Sequence, residues 1–195
     1  MKKILLIVAL VLCIFQMVVL ATAIDIGSPA IDRTNWYGEY MTFIEMGNPA
    51  NETGKITSVE IYAYSAMSGV KVAIFYRPDP DNYPAYFTAR NNETIGNVAL
   101  GYNQFEVNLD VVVGDFIVLY WTAGGIEKDS SGGSGAYFKV GDQTGCSNTE
   151  FTLEPNCVLS LYGTGTTEVG WPHKWNTLTI GKWDTKEIVK WNDLE

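Results

Sequence analysis

The chain has 195 residues, of which 13% are aromatic and 18% charged, and a formal net charge of -9. That acidity argues against nucleic acid and anionic membrane as partners. One histidine, His173, and three cysteines argue against zinc hydrolases and leave any Ser-His-Asp or Cys-His arrangement a single imidazole to use.

Residues 1–23 read as a secretory signal. Lys2 and Lys3 form its positive region, residues 4–20 contain no Asp, Glu, Lys or Arg, and Ala21-Thr22-Ala23 is an A-x-A cleavage site. The mature chain then starts at Ile24 and is secreted or held at the cell surface. Losing the two lysines takes the charge from -9 to -11. The alternative is an uncleaved anchor, because the apolar run is nearly long enough to span a bilayer. Membrane contact is expected only in that way. Cleavage also removes Cys13, leaving Cys146 and Cys157. An even pair in an exported chain predicts a disulfide, and the short loop it closes would stabilise by about 3 kcal/mol.

Residues 24–165 are predicted to form one all-β domain, a two-sheet antiparallel sandwich of jelly-roll-like type. Strand candidates rich in β-branched and aromatic residues are separated by Gly, Pro, Asn and Asp. Residues 41–46 are the first. Residues 56–65 and 70–76 read as a hairpin turned by Met67-Ser68-Gly69. Three prolines make residues 77–84 a loop. Residues 86–90 and 95–98 read as short strands, followed by 103–107 and 111–113. Residues 116–121 are an apolar run suited to a central strand. A Ser/Gly loop at 130–135 precedes strands at 136–140 and 158–162, with the cysteine loop between them. Thr164 to Gly170 reads as a linker, and residues 166–195 are assigned to linker and tail.

The chain contains no Gly-x-Ser-x-Gly elbow, phosphate loop or dinucleotide fingerprint, so no enzyme activity is expected. Asp79, Asp81 and Asn82 in the proline loop offer hard oxygen ligands for a structural calcium. Glu127, Asp129 and Asp142 lie in or beside Gly-rich loops with the same chemistry. No other cofactor is indicated. Asn51-Glu-Thr and Asn92-Glu-Thr fit the N-glycosylation pattern. The aromatic content points to carbohydrate, which is held by aromatic faces together with amides and carboxylates. Alternation places Tyr62 on one face with Glu60 and Tyr64. Tyr62, Tyr64, Tyr83 and Tyr86 are the candidate ligand-binding residues.

The last 22 residues repeat a Lys-Trp-Asn/Asp unit every eight positions, at Lys174, Lys182 and Lys190. Trp171, Trp175, Trp183 and Trp191 are four of the six tryptophans. Residues eight apart share a face in an extended chain, so this tail is a candidate for packing on the sandwich or for binding a partner. It resembles the short Lys-Trp/Ile-Asn-Gly-Val repeats at the C-termini of phage and bacterial surface proteins, although Thr177-Leu178, Thr185-Lys186 and Asp193-Leu194 replace the Gly-Val. The body, with its phrase Gly114-Asp115-Phe116-Ile117-Val118-Leu119-Tyr120, resembles secreted jelly-roll domains of virion-associated and extracellular proteins. Tyr137-Phe138-Lys139-Val140-Gly141 with Gln143 is similar to a segment of the β-sandwich alginate lyases, but the Gln-Ile-His and Arg-rich strands of that family are missing. These resemblances imply a secreted binding module that recognises carbohydrate or the cell surface, with the tail for attachment or assembly. The alternative is a structural subunit of an extracellular filament, surface layer or virion appendage, pairing with copies of itself. A polysaccharide-active enzyme ranks last.

Overall fold

The computed structural model describes residues 21–167. The apolar leader up to residue 20 and the tail with Trp171, Trp175, Trp183 and Trp191 lie outside the described residues. The described chain is all β and antiparallel, with no helix. Its strands are β1 (Ala23–Gly27), β2 (Asn35–Tyr37), β3 (Met41–Glu45), β4 (Gly54–Tyr76), β5 (Tyr86–Val98), β6 (Gly101–Val111), β7 (Phe116–Tyr120), β8 (Ala123–Asp129), β9 (Ala136–Val140), β10 (Thr149–Glu150), β11 (Thr152–Glu154), β12 (Val158–Leu159) and β13 (Leu161–Thr166). They join in one hydrogen-bonded network whose main path runs β1-β13-β4-β7-β3-β9-β11. The network does not close into a barrel.

Strand β4, 23 residues long, organises the domain. Its first half pairs with β13 on one edge and β6 on the other. Its second half pairs with β5 and β7. The expected hairpin at residues 67–69 is therefore not formed. The ladder shifts register between Met67 and Val70, and Gly69 takes φ +60°. A Cβ there would lie 2.5 Å from Thr122 Oγ1, and the Thr122 amide donates to Ser68 O at 2.9 Å. Glycine thus lets the strand bend beside Thr122 where a turn was expected. One strand consequently lines both halves of the domain.

Two further expectations change for a related reason. Residues 86–98 form one strand, because the polar run Asn91 to Thr94 stays in the ladder with β4. Asn92 sits opposite Ala73 and sends its side-chain amide to Thr144 O at 3.1 Å. The expected linker starts later than Thr164, because β13 runs to Thr166 between β1 and β4.

The two halves bury one common core. Ile56, Val59 and Ile61 from the first half of β4 join Val70, Val72 and Ile74 from the second, together with Phe43, Ile117, Leu119 and Trp121. Side chains of this size each contribute about 1.5–3 kcal/mol when fully buried. A second cluster occupies the far face of the second half: Ile44, Phe75, Phe87, Phe116, Val118, Tyr137 and Phe151. Residues 149–154 strap it down. Thr149 and Glu150 pair with β5, whereas Thr152 to Glu154 pair with β9. Phe151, between these pairs, is 3% exposed. The Arg77 guanidinium lies over Phe87, Phe116 and Tyr137, at 5.1, 5.2 and 5.5 Å from the ring centres.

This strap also explains why the expected disulfide is not formed. Both Cys146 and Cys157 are free thiols. Cys146 packs against the strapped cluster and donates to Phe87 O at 3.7 Å. Cys157 is buried in the common core, where desolvation pushes its thiol up to about 11. The chain between them crosses the sheet and delivers the two sulfurs to different layers.

Two of the free edges, β1 and β6, are blunted by side chains and neighbouring backbone. On β1, the Asp25 amide donates to Asn51 Oδ1 and Gly27 to Asn48 O. Glu93 accepts from the Asn108 amide on β6, and Asn91 donates to Asp110 O. Where the described chain begins and ends, Thr22 and Thr167 bond reciprocally at 2.9 Å.

Candidate functional site

The outer face of the first half is the exposed aromatic surface of the domain. Alternation along β4 sends Val59, Ile61 and Ala63 inward and Ser58, Glu60, Tyr62 and Tyr64 outward. Register then assembles neighbours from other strands. Tyr62 stands opposite Tyr102, and Glu60 lies between Gln104 and Tyr162. Gln104 Nε2 donates to Ser58 Oγ at 2.9 Å. At the bulge between Ile56 and Ser58 there is a shallow groove of about 650 Å³ lined by Thr57, Ser58, Gln104, Phe105, Glu106 and Val107.

Strand β2 adds Trp36, which stacks parallel on Tyr64 with ring centres 4.9 Å apart and planes 3° apart. Both side chains keep about half their surface exposed, 49% and 46%. Gly125 makes room for the indole. A Cβ at that position would sit 3.0 Å from Trp36 Cε3 and 2.7 Å from Tyr37 O. Tyr102 is exposed at 53%, and Tyr62 and Tyr162 are half-buried. Large exposed aromatics gathered on one face are unusual on a soluble surface and mark contact sites.

Polar chemistry surrounds these rings. Partial desolvation, and then the Glu60 carboxylate, raise the Tyr102 phenol. Desolvation, and then Asp25, raise that of Tyr162, which donates to Asp25 Oδ2 at 3.5 Å. Both phenols therefore stay protonated and can donate. Opposite Trp36 in the ladder, the Glu127 carboxyl is raised chiefly by burial and accepts from the Arg33 amide at 3.3 Å. Arg33 itself is tied to Asp129 at 2.9 Å, Ser160 Oγ at 2.8 Å and Pro29 O at 3.0 Å. The face thus offers ring surfaces, phenol donors, an amide and carboxylate acceptors, the groups that hold hydroxyl-rich ligands.

Of the four tyrosines expected to bind ligand, Tyr62 and Tyr64 lie together here. Tyr83 and Tyr86 lie elsewhere, at the loop entering β5. They pack edge to face at 5.4 Å, and Tyr86 donates to Glu150 Oε2 at 3.4 Å. In the same loop, Asp79 accepts the Asn82 amide at 3.2 Å and the Asn82 side-chain nitrogen at 3.1 and 3.0 Å, so this turn is closed on itself. Asp81 is exposed beside it. Among the described residues, no three His, Cys, Asp or Glu side chains gather as a metal site. Asp129 and Asp142 are instead paired with Arg33 and Lys71.

The lyase-like segment serves the fold. Tyr137 belongs to the strapped cluster, Phe138 packs on the common core, and Lys139 donates to Glu150 O at 3.0 Å. Sequence reasoning missed Trp36, Tyr102 and Tyr162 as members of the aromatic face. Alternation marks which side of a strand a residue takes, but only the pairing of β2, β6 and β13 brings these three beside Tyr62 and Tyr64. No protein-family model matches the chain, and no curated protein is significantly similar to it.

Proposed function

We propose that the protein is a secreted, non-catalytic module that binds carbohydrate, as free polysaccharide or as cell-surface glycan, on the outer face of the first half of its sheet. The exposed Trp36–Tyr64 stack, set on a face that also bears Tyr62, Tyr102, Glu60 and Gln104, carries this reading. Sugar rings present C–H surfaces to aromatic planes, and their hydroxyls meet amides and carboxylates. The C-terminal Lys-Trp repeats serve attachment or assembly in the same reading.

The competing reading, a structural subunit joined by strand addition, finds less support. Such pairing needs open backbone edges, and two of the edge strands, β1 and β6, already commit edge groups to asparagine and glutamate side chains or to neighbouring backbone. A glycan array probed with the monomeric mature chain tests the proposal. Saturable binding that Trp36→Ala and Tyr64→Ala each weaken is the expected result. Binding to no glycan, together with concentration-dependent self-assembly lost on removing residues 171–195, would replace it with the structural reading.

A further inference from the structure

The polymer that suits this face can be narrowed by its charge. Each lysine and arginine among the described residues is already engaged. Arg33, Lys55, Lys71, Arg90 and Lys128 are ion-paired to Asp129, Asp110, Asp142, Asp115 and Glu154, at 2.5 to 3.0 Å. Lys139 donates to Glu150 O, and Arg77 lies among the rings of the strapped cluster. Among the described residues on the aromatic face, Arg33 has a side chain 7% exposed and held by Asp129, and Lys55 is paired with Asp110. Asp25, Glu60, Glu106 and Glu127 meanwhile belong to this face. The groove on this face is shallow and open, a shape that takes the length of a chain and does not enclose a chain end.

We infer that the face binds internal stretches of a neutral or amino-bearing polysaccharide and rejects polymers carrying carboxylate or sulfate; the inference rests on the glycan-binding reading. The rings supply the attraction common to all sugars. The charges supply the discrimination, because a polyanion would bring fixed negative groups against Glu60 and Glu106, and every described lysine and arginine is already engaged. An amino group would find those carboxylates as partners.

Affinity electrophoresis of the full mature chain tests this. The gels contain a neutral glucan, mannan or xylan, each beside its own carboxymethylated form, and partly deacetylated chitin. At low salt, at least one neutral or amino polymer should retard the protein, with its carboxymethylated counterpart bound about tenfold more weakly or not at all. In the Glu60→Gln, Glu106→Gln double variant the ratio of neutral to carboxymethylated retention should shrink severalfold, each ratio being taken within one protein so that any change in neutral-polymer affinity cancels. Equal retention by carboxymethylated and neutral forms, or retention by the anionic forms alone, would overturn the inference and leave glycan binding standing. Retention by no polymer of any charge would remove the glycan-binding reading itself, and the inference with it.

Discussion

Both halves of the sheet carry aromatic residues on their outer faces, yet only one face is covered. On the second half the residues are Phe75, Phe87, Phe116 and Tyr137, sealed beneath residues 149–154 with Phe151 as the plug. On the first half they are Trp36, Tyr62, Tyr64, Tyr102 and Tyr162, with carboxylates between them and no described segment strapped over them. The covered face is mostly phenylalanine, which gains nothing from water. The open face is tryptophan and tyrosine, whose rings carry a polar group. The difference in residue type fits the difference in role: the first set stabilises the fold, and the second set remains available.

The largest expected effect breaks the covered face. Phe151→Ala should destabilise by about 3–5 kcal/mol in chemical denaturation, as buried aromatic truncations do, whereas Trp36→Ala should cost less than about 1 kcal/mol. Equal losses at the two sites would erase the contrast.

Next comes a buried carboxyl compared with one beside the open face. Glu45 lies at the end of β3, is fully buried, and accepts from Leu159 N at 2.6 Å, Gly47 N at 2.7 Å and Ser28 Oγ at 3.2 Å. Desolvation outweighs these donors and pushes it from 4.5 up to about 6. The folded state therefore holds its proton more tightly than the unfolded chain does. The resulting stabilisation is complete below pH 4.5 and is lost as pH rises through about 6. Its size is about 2 kcal/mol. Denaturation midpoints measured across this window should fall with rising pH, and Glu45→Gln should remove most of the slope. Glu127 is shifted in the same direction, so Glu127→Gln should remove a smaller part.

On the open face, Trp36→Ala should lower affinity for a retained polysaccharide about tenfold, or about 1.4 kcal/mol, with the fold intact by circular dichroism. Tyr83→Ala, outside that face, should leave affinity unchanged. The smallest effect concerns the cysteines. A reductant should not move the thermal midpoint, and a thiol reagent added to native protein should label the half-buried Cys146 before Cys157.

The all-β class was legible because strand residues and turn residues separate cleanly along the chain. The outward pair Tyr62 and Tyr64 was legible because alternation needs only the strand itself. Pairing was not legible. Met67-Ser68-Gly69 has turn composition, and nothing local distinguishes a reversal from a bend that keeps going. Short β2 contributes the best-exposed tryptophan of the described chain, but three residues hold too little pattern to mark a strand. The disulfide was inferred from cysteine number and compartment, which carry no information on which layer each thiol enters. The polar run Asn91 to Thr94 interrupts the apolar pattern of β5 without interrupting its backbone hydrogen bonds, so one strand read as two.

The pairing of Ile24 with Gly165 sets the two ends of the domain at one corner, with or without the leader. Lys55 of β4 lies across from Thr166 at that corner, and Tyr64 lies nine residues further along the same strand, roughly 30 Å away at the usual strand rise. An uncleaved leader at one end, or the tail at the other, would therefore hang the molecule from the same corner, with the Trp36 stack displaced from it along the strand. Polymer could then approach from outside while the protein is tethered by either terminus, so attachment and recognition need not compete for space.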